Sequence, residues 1–249
     1  MSGLRSGTAS PVPVSAVLTD IEGTTTSIAF VKDVLFPFAE RSLDGFLDAH
    51  ADDPEVVACL TAVRRAAGAG EDPRAALRRW MAEDAKFGPL KTLQGLMWRA
   101  GYASGEITGH LWPDVAPCLR AWARAGIGLN VYSSGSVAAQ KLIFGHSVAG
   151  DLTGLFGGFF DTAMGGKREA ASYAAIAERL ALPSDDILFL SDVAEELDAA
   201  KTAGYATCQL VRSEDGTVAS GRHPQAADFP GVAVAFGLPV PRLSQGEAA

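Results

Sequence analysis

Residues 14–25, VSAVLTDIEGTT, decide the fold, because a short apolar run leads directly into a turn that carries two carboxylates. Residues 14–18 have the length and character of a strand buried on both faces, as in a parallel sheet. Asp20 and Glu22 follow where this strand opens into a Gly/Thr turn, so both can face one site at the sheet edge. Taken alone, the pair is weak evidence, because two acids that merely cap a turn are the favoured interpretation.

Further apolar runs of the same kind recur in the second half of the chain. The segments between them have helical spacing; in residues 169–182, for example, apolar positions recur at intervals of three and four. Alternating strands and helices predict an α/β fold with a doubly wound parallel sheet. The predicted strands, in chain order, are residues 14–18, 127–132, 187–190, 205–211 and 232–236.

The region between the first and second predicted strands carries helical patterns and no convincing strand. Pro73 suits the first turn of the third of these helices, where its missing N–H is not needed. Core packing accounts for the apolar stripes of such helices. A helical module at this place would lie over the carboxyl ends of the strands, where open α/β sheets bind ligands. The stripes are Val31, Val34, Leu35 and Phe38; Val56, Val57, Leu60 and Val63; Ala76, Leu77, Trp80 and Met81; and Leu93, Leu96 and Met97.

The resulting domain organisation has a discontinuous core with a helical cap inserted after its first strand. The α/β core is predicted at residues 14–27 plus 116–240, and the cap at residues 28–115. The Ser/Gly/Pro-rich start, residues 1–13, and the end, residues 241–249, are predicted to be flexible tails without a chemical role.

Composition and charge restrict the class of protein. The 249 residues are 48% hydrophobic and 20% charged, which is typical of a soluble globular protein with a sizeable core. The formal net charge of −8 argues against a broad surface for nucleic-acid backbones. The 3 cysteines lie far apart without a Cys-x-x-Cys motif, which favours buried thiols in a reducing compartment. Since no apolar run approaches the ~18 residues of a membrane span, we predict a cytoplasmic protein with no membrane or nucleic-acid partner.

Polar residues also follow the later predicted strands. Ser133 and Ser134 come directly after the second strand, where hydroxyls and backbone N–H groups meet a helix N-terminus and suit a phosphate. Two glycines precede Lys167, whose ammonium can neutralise a phosphoryl group, although a solvated lysine is the ordinary alternative. Asp192 follows the third strand, and an acid at the end of a buried strand is costly unless it is paired or binds a metal.

These residues can converge on one crevice, because the carboxyl ends of parallel strands share an edge of the sheet. Asp20 can act as a nucleophile towards phosphorus, and Glu22 as an acid or base. Hydroxyls, a lysine and the Asp192 carboxylate add a phosphate site, a cation and a metal ligand. The set predicts a phosphoryl-transfer site that needs Mg²⁺.

The same residues resemble those of the haloacid dehalogenase superfamily, and longer stretches resemble its enolase-phosphatases of methionine salvage. The likeness covers roughly residues 14–212, and the final part of the chain resembles that family only loosely. Most phosphatases of the superfamily have Asp where this chain has Glu22, whereas the enolase-phosphatases have Glu. The narrower resemblance rests on residues 19–25 (TDIEGTT), 35–39 (LFPFA), 93–106, 132–147 (YSSGSVAAQKLIFGHS), 160–162 and 166–167.

The resemblance implies a haloacid dehalogenase-like Rossmannoid core and a bifunctional enzyme. Such an enzyme enolises 2,3-diketo-5-methylthiopentyl 1-phosphate and then dephosphorylates the enol, giving 1,2-dihydroxy-3-keto-5-methylthiopentene (acireductone) and phosphate. It also implies a monomer whose partner is this small phosphate ester.

The resemblance also assigns roles to individual residues. Asp20 would be the nucleophile that forms an aspartyl-phosphate. One Mg²⁺ per subunit would be held by Asp20, Asp192 and the backbone carbonyl of Glu22. The residues implied to hold the substrate are Ser133, Ser134 and Lys167, and those implied in catalysis are Asp20, Glu22 and Lys167.

Several assignments stay open at the level of sequence. The side chain of Glu22 has the reach to remove the acidic proton next to a ketone, which is a hypothesis for the enolisation base. His146 is a less convincing base, and a structural role is favoured. Leu93, Gln94 and Trp98 are candidates for contact with the methylthio group or for packing within the cap, and packing is favoured for Leu93. The alternative functions are a superfamily phosphatase for another small phosphate ester, such as a sugar phosphate, and a non-catalytic phosphometabolite-binding protein.

Overall fold

A computed structural model describes residues 14–68, 70–83 and 85–241 of the chain. Its strands form one parallel sheet in the order β3-β2-β1-β4-β5-β6. The chain moves from β1 to β2 and β3 on one side and returns to β4 on the other, so β1 and β4 flank the switch point of the sheet. The strands are β1 (Ala16–Thr19), β2 (Gly128–Tyr132), β3 (Phe156–Phe160), β4 (Ile187–Ser191), β5 (Ala206–Leu210) and β6 (Gln225–Ala226).

The predicted α/β class and doubly wound parallel sheet are confirmed. Every residue of β1 and β4 is buried, which is why these strands are apolar up to their last residues, Thr19 and Ser191, and do not alternate with polar positions. A π-helical segment, Val31–Leu35, joins the first two helices. The helices are α1 (Ile28–Phe30), α2 (Phe36–Ala49), α3 (Pro54–Ala67), α4 (Pro73–Ala82), α5 (Gly88–Ser104), α6 (Val115–Arg124), α7 (Val137–Gly145), α8 (Ala170–Leu180), α9 (Ala194–Thr202) and α10 (Phe229–Phe236).

The chain divides into two compact units. The sheet-containing unit comprises the described residues up to Thr25, Trp112–Ser134, and the described residues from Gly154 onward. The helical unit comprises Thr26–Leu111 and Gly135–Thr153. This division differs from the predicted cap and core chiefly in the second segment of the helical unit, which the prediction placed in the core.

Contacts within the helical unit explain why residues 135–153 group with it. The rings of Tyr102 on α5 and His146, at the end of α7, stack with centroids 5.3 Å apart. Gly109 and Ser147 form a parallel β-bridge. His146 therefore has a packing role, as the sequence favoured.

The second, third and fourth predicted helical stripes contribute to a buried cluster of the helical unit, and the first stripe lies outside that cluster. Asp72 caps α4, accepting a hydrogen bond from the Ala75 N–H (3.3 Å), and Pro73 occupies the first turn, as predicted. Val57 is the exception, because it is 43% exposed. It follows the fully buried Val56 by one position, and adjacent helical residues point in different directions. The buried cluster contains Ala39, Leu43, Leu47, Val56, Cys59, Val63, Ala76, Leu77, Leu90, Leu93, Leu96 and Met97.

The predicted strand at residues 232–236 is wrong, because this run belongs to α10. The Asp228 side chain accepts a hydrogen bond from the Gly231 N–H (2.7 Å), and Pro230 occupies the first turn. Gly237, with φ +68°, ends the helix in the left-handed conformation. A short apolar run does not by itself distinguish a strand from a buried helix, and the capping residues decide here.

Two strands, β3 and β6, are absent from the prediction. The β3 sequence, FGGFF, contains two glycines, which lower the propensity for a strand. The structure gives a reason for one of them, since a Cβ at Gly158 would lie 3.0 Å from Oδ1 of Asn130 on the neighbouring β2. The other strand, β6, has only 2 residues.

The remaining sequence predictions concern solubility and the chain ends. Within the described part of the chain, no helix combines the length and apolar character needed to cross a bilayer. The predicted tails, residues 1–13 and 241–249, lie outside the described residues except for Pro241.

Candidate active site

Asp20 lies immediately beyond β1 at the carboxyl edge of the sheet, and it is only 5% exposed. Its N–H continues the sheet by donating to the Leu190 carbonyl (2.9 Å). Its own carbonyl accepts hydrogen bonds from the hydroxyls of Thr19 (2.9 Å) and Thr25 (3.3 Å). The sheet and these two threonines thus hold the Asp20 backbone at its N–H and at its carbonyl.

Lys167 bridges two buried carboxylates. Its Nζ lies 2.6 Å from Oδ1 of Asp20 and 2.7 Å from Oε2 of Glu196 on α9. The Lys167 backbone carbonyl accepts a hydrogen bond from the Tyr173 hydroxyl (2.7 Å), which fixes the loop between β3 and α8. The structure therefore brings together Asp20 and Lys167, as the sequence predicted, through a strand that the sequence did not reveal.

One ammonium between two carboxylates leaves the cluster with excess negative charge. Burial alone would lower the pKa of Lys167. The neighbouring Asp20 and Glu196 carboxylates more than offset this effect and raise the pKa above its ordinary value, so Lys167 remains charged. Burial and the nearby Asp20 charge raise the pKa of Glu196 to about 7, against the opposing effects of Lys167 and the Ser191 hydroxyl. A cation or a proton entering the site is therefore stabilised.

Asp192, directly after β4, is held at both sides of its backbone. Its N–H donates to the Thr24 hydroxyl (3.0 Å), and its carbonyl accepts from Nε2 of Gln209 (2.9 Å). Its Oδ1 is buried and has no hydrogen-bond partner among the described residues. Burial, followed by the charge of Asp20, raises the pKa of this carboxyl to about 7.

These carboxylates fit a cation of the Mg²⁺ type. Mg²⁺ usually takes one or two protein carboxylates and completes its shell with waters and substrate phosphate oxygens. Such a cation would give the buried, unpartnered Oδ1 of Asp192 a ligand bond. It would also offset the repulsion between the Asp20 and Asp192 carboxylates. Among the described residues, no cluster of three or more His, Cys, Asp or Glu side chains suits a metal, so backbone and phosphate oxygens would complete the shell.

Gly23 leaves the space that the Asp192 carboxylate occupies. Gly23 has φ +75°, and a Cβ there would lie 2.4 Å from Oδ2 of Asp192. No side chain fits this position unless Asp192 moves. The glycine is therefore required both by the left-handed backbone and by the close approach.

Gly23→Ala is expected to weaken Mg²⁺ binding by about tenfold or more, because the new methyl group displaces the Asp192 carboxylate. Titration of Mg²⁺ followed by calorimetry measures this effect. Gly216→Ala is the matched control, since Gly216 has a similar φ of +72° but nothing within 4 Å of an added Cβ. Equal Mg²⁺ affinity in the two variants would contradict the role assigned to the Gly23 approach.

The other predicted residues lie at the same edge of the sheet. Glu22 is half-buried in the turn after Asp20. Ser133 is buried directly after β2, and its N–H donates to the Phe160 carbonyl (3.2 Å); Ser134 beside it is exposed. The roles of Glu22, Ser133 and Ser134 stay predictions.

Trp98 and Gln94 of the helical unit are candidates for contact with the methylthio group, and they differ in their observed contacts. The Trp98 indole N–H donates to the Leu35 carbonyl (2.8 Å), so packing within this unit accounts for its polar atom. Gln94 is buried on α5. Contact of either with a methylthio group stays a prediction.

Glu196 is the side chain of this charge cluster that is missing from the predicted set. It comes four positions after Asp192, which places it one helical turn into the segment that follows β4. That spacing is the available signal, but Glu195 beside it is equally acidic and faces solvent, where it pairs with Arg222 (3.0 Å). Only the structure shows which of the two faces Lys167.

The fold and the site together define a haloacid dehalogenase-like hydrolase, and the model of that family matches residues 14–204. Among solved structures, the chain is similar to the UTR4 protein of Saccharomyces cerevisiae, with 33% identity, a TM-score of 0.75, and coverage of 87% of this chain and 98% of that one. CbbY from Rhodobacter sphaeroides in complex with phosphate shares the fold at 20% identity, with a TM-score of 0.59 and coverage of 90% and 100%.

Similarity to curated proteins identifies the family within the haloacid dehalogenase-like hydrolases. The chain is 55% identical to enolase-phosphatase E1 of Acidiphilium cryptum (strain JF-5), over 90% of this chain and 97% of the relative. It is also 55% identical to enolase-phosphatase E1 of Granulibacter bethesdensis, over 92% of this chain and 99% of the relative. The chain therefore belongs to the enolase-phosphatase E1 family of haloacid dehalogenase-like hydrolases.

Proposed function

We propose that this chain is a Mg²⁺-dependent acireductone synthase of methionine salvage. It converts 2,3-diketo-5-methylthiopentyl 1-phosphate, through the enol phosphate, to 1,2-dihydroxy-3-keto-5-methylthiopentene and phosphate. The buried Asp20 carboxylate, 2.6 Å from Lys167 at the carboxyl end of β1, is the observation that carries the chemistry. The identity of 50–55% to four proteins named enolase-phosphatase E1 supports the choice of substrate.

In the phosphatase half-reaction, Asp20 attacks the phosphorus atom. A bond forms between its carboxylate oxygen and phosphorus, while the bond from phosphorus to the ester oxygen breaks and the enol oxygen leaves. Water then hydrolyses the aspartyl-phosphate, which regenerates Asp20 and releases phosphate. Lys167 holds Asp20 in place and, with Ser133 and Ser134, binds the phosphoryl oxygens.

The cation belongs to the same proposal. Mg²⁺, when bound, neutralises charge between the carboxylates and the phosphoryl oxygens and polarises the ketone oxygen. One ion per subunit would be held by Asp20, Asp192 and the Glu22 carbonyl. The excess negative charge around Lys167 and the unpartnered oxygen of Asp192 support this assignment.

We also propose a compartment, an oligomeric state and a domain division for the enzyme. We expect a cytoplasmic monomer, and the predicted core (residues 14–27 plus 116–240) and cap (residues 28–115) stay a prediction beside the compact units described above, in which residues 135–153 group with the helices. The structure places the thiols of Cys59, Cys118 and Cys208 in buried positions.

Enolisation requires a base, and Glu22 is the proposed one. Glu22→Gln is expected to slow formation of the enol by about a hundredfold or more, because an amide does not accept the proton next to the ketone. Absorbance of the transient enol in a stopped-flow instrument measures the rate. Glu195→Gln is a control that removes an exposed carboxylate and is expected to leave the rate unchanged. An unchanged rate in Glu22→Gln would assign the base to another residue.

A panel of phosphate esters tests the proposed substrate. Phosphate release is measured with the diketone phosphate and with several sugar phosphates, each with Mg²⁺ and with a chelator. We expect release from the diketone alone, lost when the chelator removes Mg²⁺. Efficient release from sugar phosphates would instead support a phosphatase for another small ester.

A further inference from the structure

Arg212 is buried at the end of the stretch that resembles the family, and it is not among the predicted site residues. It lies two residues beyond β5 and is 4% exposed. Its Nε and Nη2 donate to the Thr24 carbonyl at 3.2 and 3.0 Å. Its Nη1 and Nη2 also donate to the two carboxylate oxygens of Asp114 at 3.0 and 2.9 Å.

The surroundings of Arg212 fix the plane of its guanidinium. Its central carbon lies 5.2 Å from the ring centroid of Trp112 and 5.8 Å from that of Phe229. Nη1 makes a further hydrogen bond to the Ala227 carbonyl (3.2 Å). Only a planar group with several donors satisfies these partners together, and a lysine ammonium does not.

Thr24 connects Arg212 to the proposed metal ligand. The Thr24 carbonyl is held by Arg212, and the Thr24 hydroxyl accepts the hydrogen bond from the Asp192 N–H (3.0 Å). Gly23, the preceding residue, lies against the Asp192 carboxylate without room for a Cβ. A shift of the Thr24 peptide would therefore move the contacts on the backbone and the side chain of Asp192 together.

A second side chain, Gln209 on β5, holds Asp192 at its carbonyl. Nε2 of Gln209 donates to the Asp192 carbonyl (2.9 Å) and to the Val218 carbonyl (3.2 Å). Oε1 of Gln209 accepts from the Ser220 N–H (2.9 Å). Because Gln209 is itself held by Val218 and Ser220, the remaining variable in the position of Asp192 is how firmly Thr24 is fixed.

We propose that Arg212 is a positioning residue that sets the Asp192 carboxylate for a divalent cation by holding the carbonyl of Thr24. This inference rests on the proposed function, which makes Asp192 a metal ligand. The alternative is that Arg212 stabilises the fold only, through its ion pair with Asp114. The two roles differ in whether Mg²⁺ affinity changes in a folded variant.

Arg212→Lys tests the inference, because it keeps the charge near Asp114 but loses the fixed geometry at Thr24. We expect Mg²⁺ affinity, measured by calorimetry without substrate, to fall by about tenfold, as for other partners of metal ligands. Activity at saturating Mg²⁺ is expected to recover most of kcat. Arg222→Lys is the matched control, since Arg222 is half-exposed and makes surface ion pairs with Glu195 and Asp198.

Thr24→Val provides a second route that leaves Arg212 intact. It removes the hydroxyl that accepts the Asp192 N–H, and we expect a similar loss of Mg²⁺ affinity. In the double variant, the Mg²⁺ affinity is expected to lie within about twofold of that of the weaker-binding single variant. The reason is that both changes interrupt the same path of contacts, from Arg212 through Thr24 to Asp192.

The outcomes separate this inference from the proposed function. Unchanged Mg²⁺ affinity in folded Arg212→Lys and Thr24→Val, beside a wild-type chain that binds Mg²⁺, overturns the inference alone. A wild-type chain that does not bind Mg²⁺ overturns the metal assignment of the proposed function, and the inference falls with it. Additive losses in the double variant would also overturn the inference, since they would show independent effects.

Discussion

Replacing Asp20 with Asn is expected to lower the rate of phosphate release by about 10⁴-fold or more. The amide has nearly the shape of the carboxylate but does not attack phosphorus. The fold is expected to persist, because Lys167 keeps Glu196 as a partner at 2.7 Å. Single-turnover phosphate release, with circular dichroism to verify folding, measures the effect.

The Asp20→Asn experiment has a control on the same sheet. Asp186 precedes β4 at the opposite edge, where its Oδ2 accepts from the Ser15 hydroxyl (3.3 Å), and Asp186→Asn is expected to leave phosphate release unchanged. Rapid quenching of the wild-type reaction should trap a protein that is heavier by one phosphoryl group, and Asp20→Asn should not form it. Normal phosphate release by Asp20→Asn would exclude Asp20 as the nucleophile.

Replacing Lys167 with Met is expected to have the largest effect on stability. Lys167 is 9% exposed at the side chain and lies between two carboxylates, so its removal leaves Asp20 and Glu196 buried without their cationic partner. We expect the free energy of unfolding at pH 7 to fall by about 3 kcal/mol or more. Activity is also expected to disappear, since the variant neither holds Asp20 nor binds a phosphoryl oxygen. Chemical denaturation measures the first effect.

The stability defect of Lys167→Met should depend on pH in a defined direction. The folded-state pKa of Glu196 already lies at about 7 and above its ordinary value, and loss of Lys167 raises it further. A raised folded-state pKa favours folding below the ordinary pKa of the carboxyl and loses this contribution as pH rises through the folded-state value. The defect is therefore smallest near pH 5 and grows as pH rises through about 7.

Lys201→Met is the matched control for this effect, because Lys201 is exposed on α9. Its free energy of unfolding is expected to stay within about 0.5 kcal/mol of the wild-type value at every pH. A defect in Lys167→Met that does not change between pH 5 and 8 would contradict the assigned charge cluster.

The buried strands and the residues that follow them are the part of the structure that the sequence predicts well. β1 and β4 are apolar up to their last residues because both faces are covered, and Asp20 and Asp192 stand out after them for the same reason. The run at residues 232–236 shows the limit of this signal, since a helix cap at Asp228 outweighs the strand-like pattern.

The remaining site residues depend on contacts between distant parts of the chain. Arg212 and Thr24 are 188 positions apart, and no periodicity or local motif connects them. Glu196 has an equally acidic neighbour, and only the packing of α9 orients it towards Lys167. Residues 135–153 follow a core strand but group with the helical unit, because their contacts with α5 and Gly109 form only in the folded chain.

The order of the two chemical steps distinguishes an enolase-phosphatase from a simple phosphatase. A single turnover of the wild-type enzyme with 2,3-diketo-5-methylthiopentyl 1-phosphate and Mg²⁺ is followed by absorbance of the enol and by phosphate release in parallel. The account predicts that the enol signal rises before phosphate appears, and that Asp20→Asn accumulates the enol without releasing phosphate. Phosphate release from the diketone with no preceding enol would contradict it.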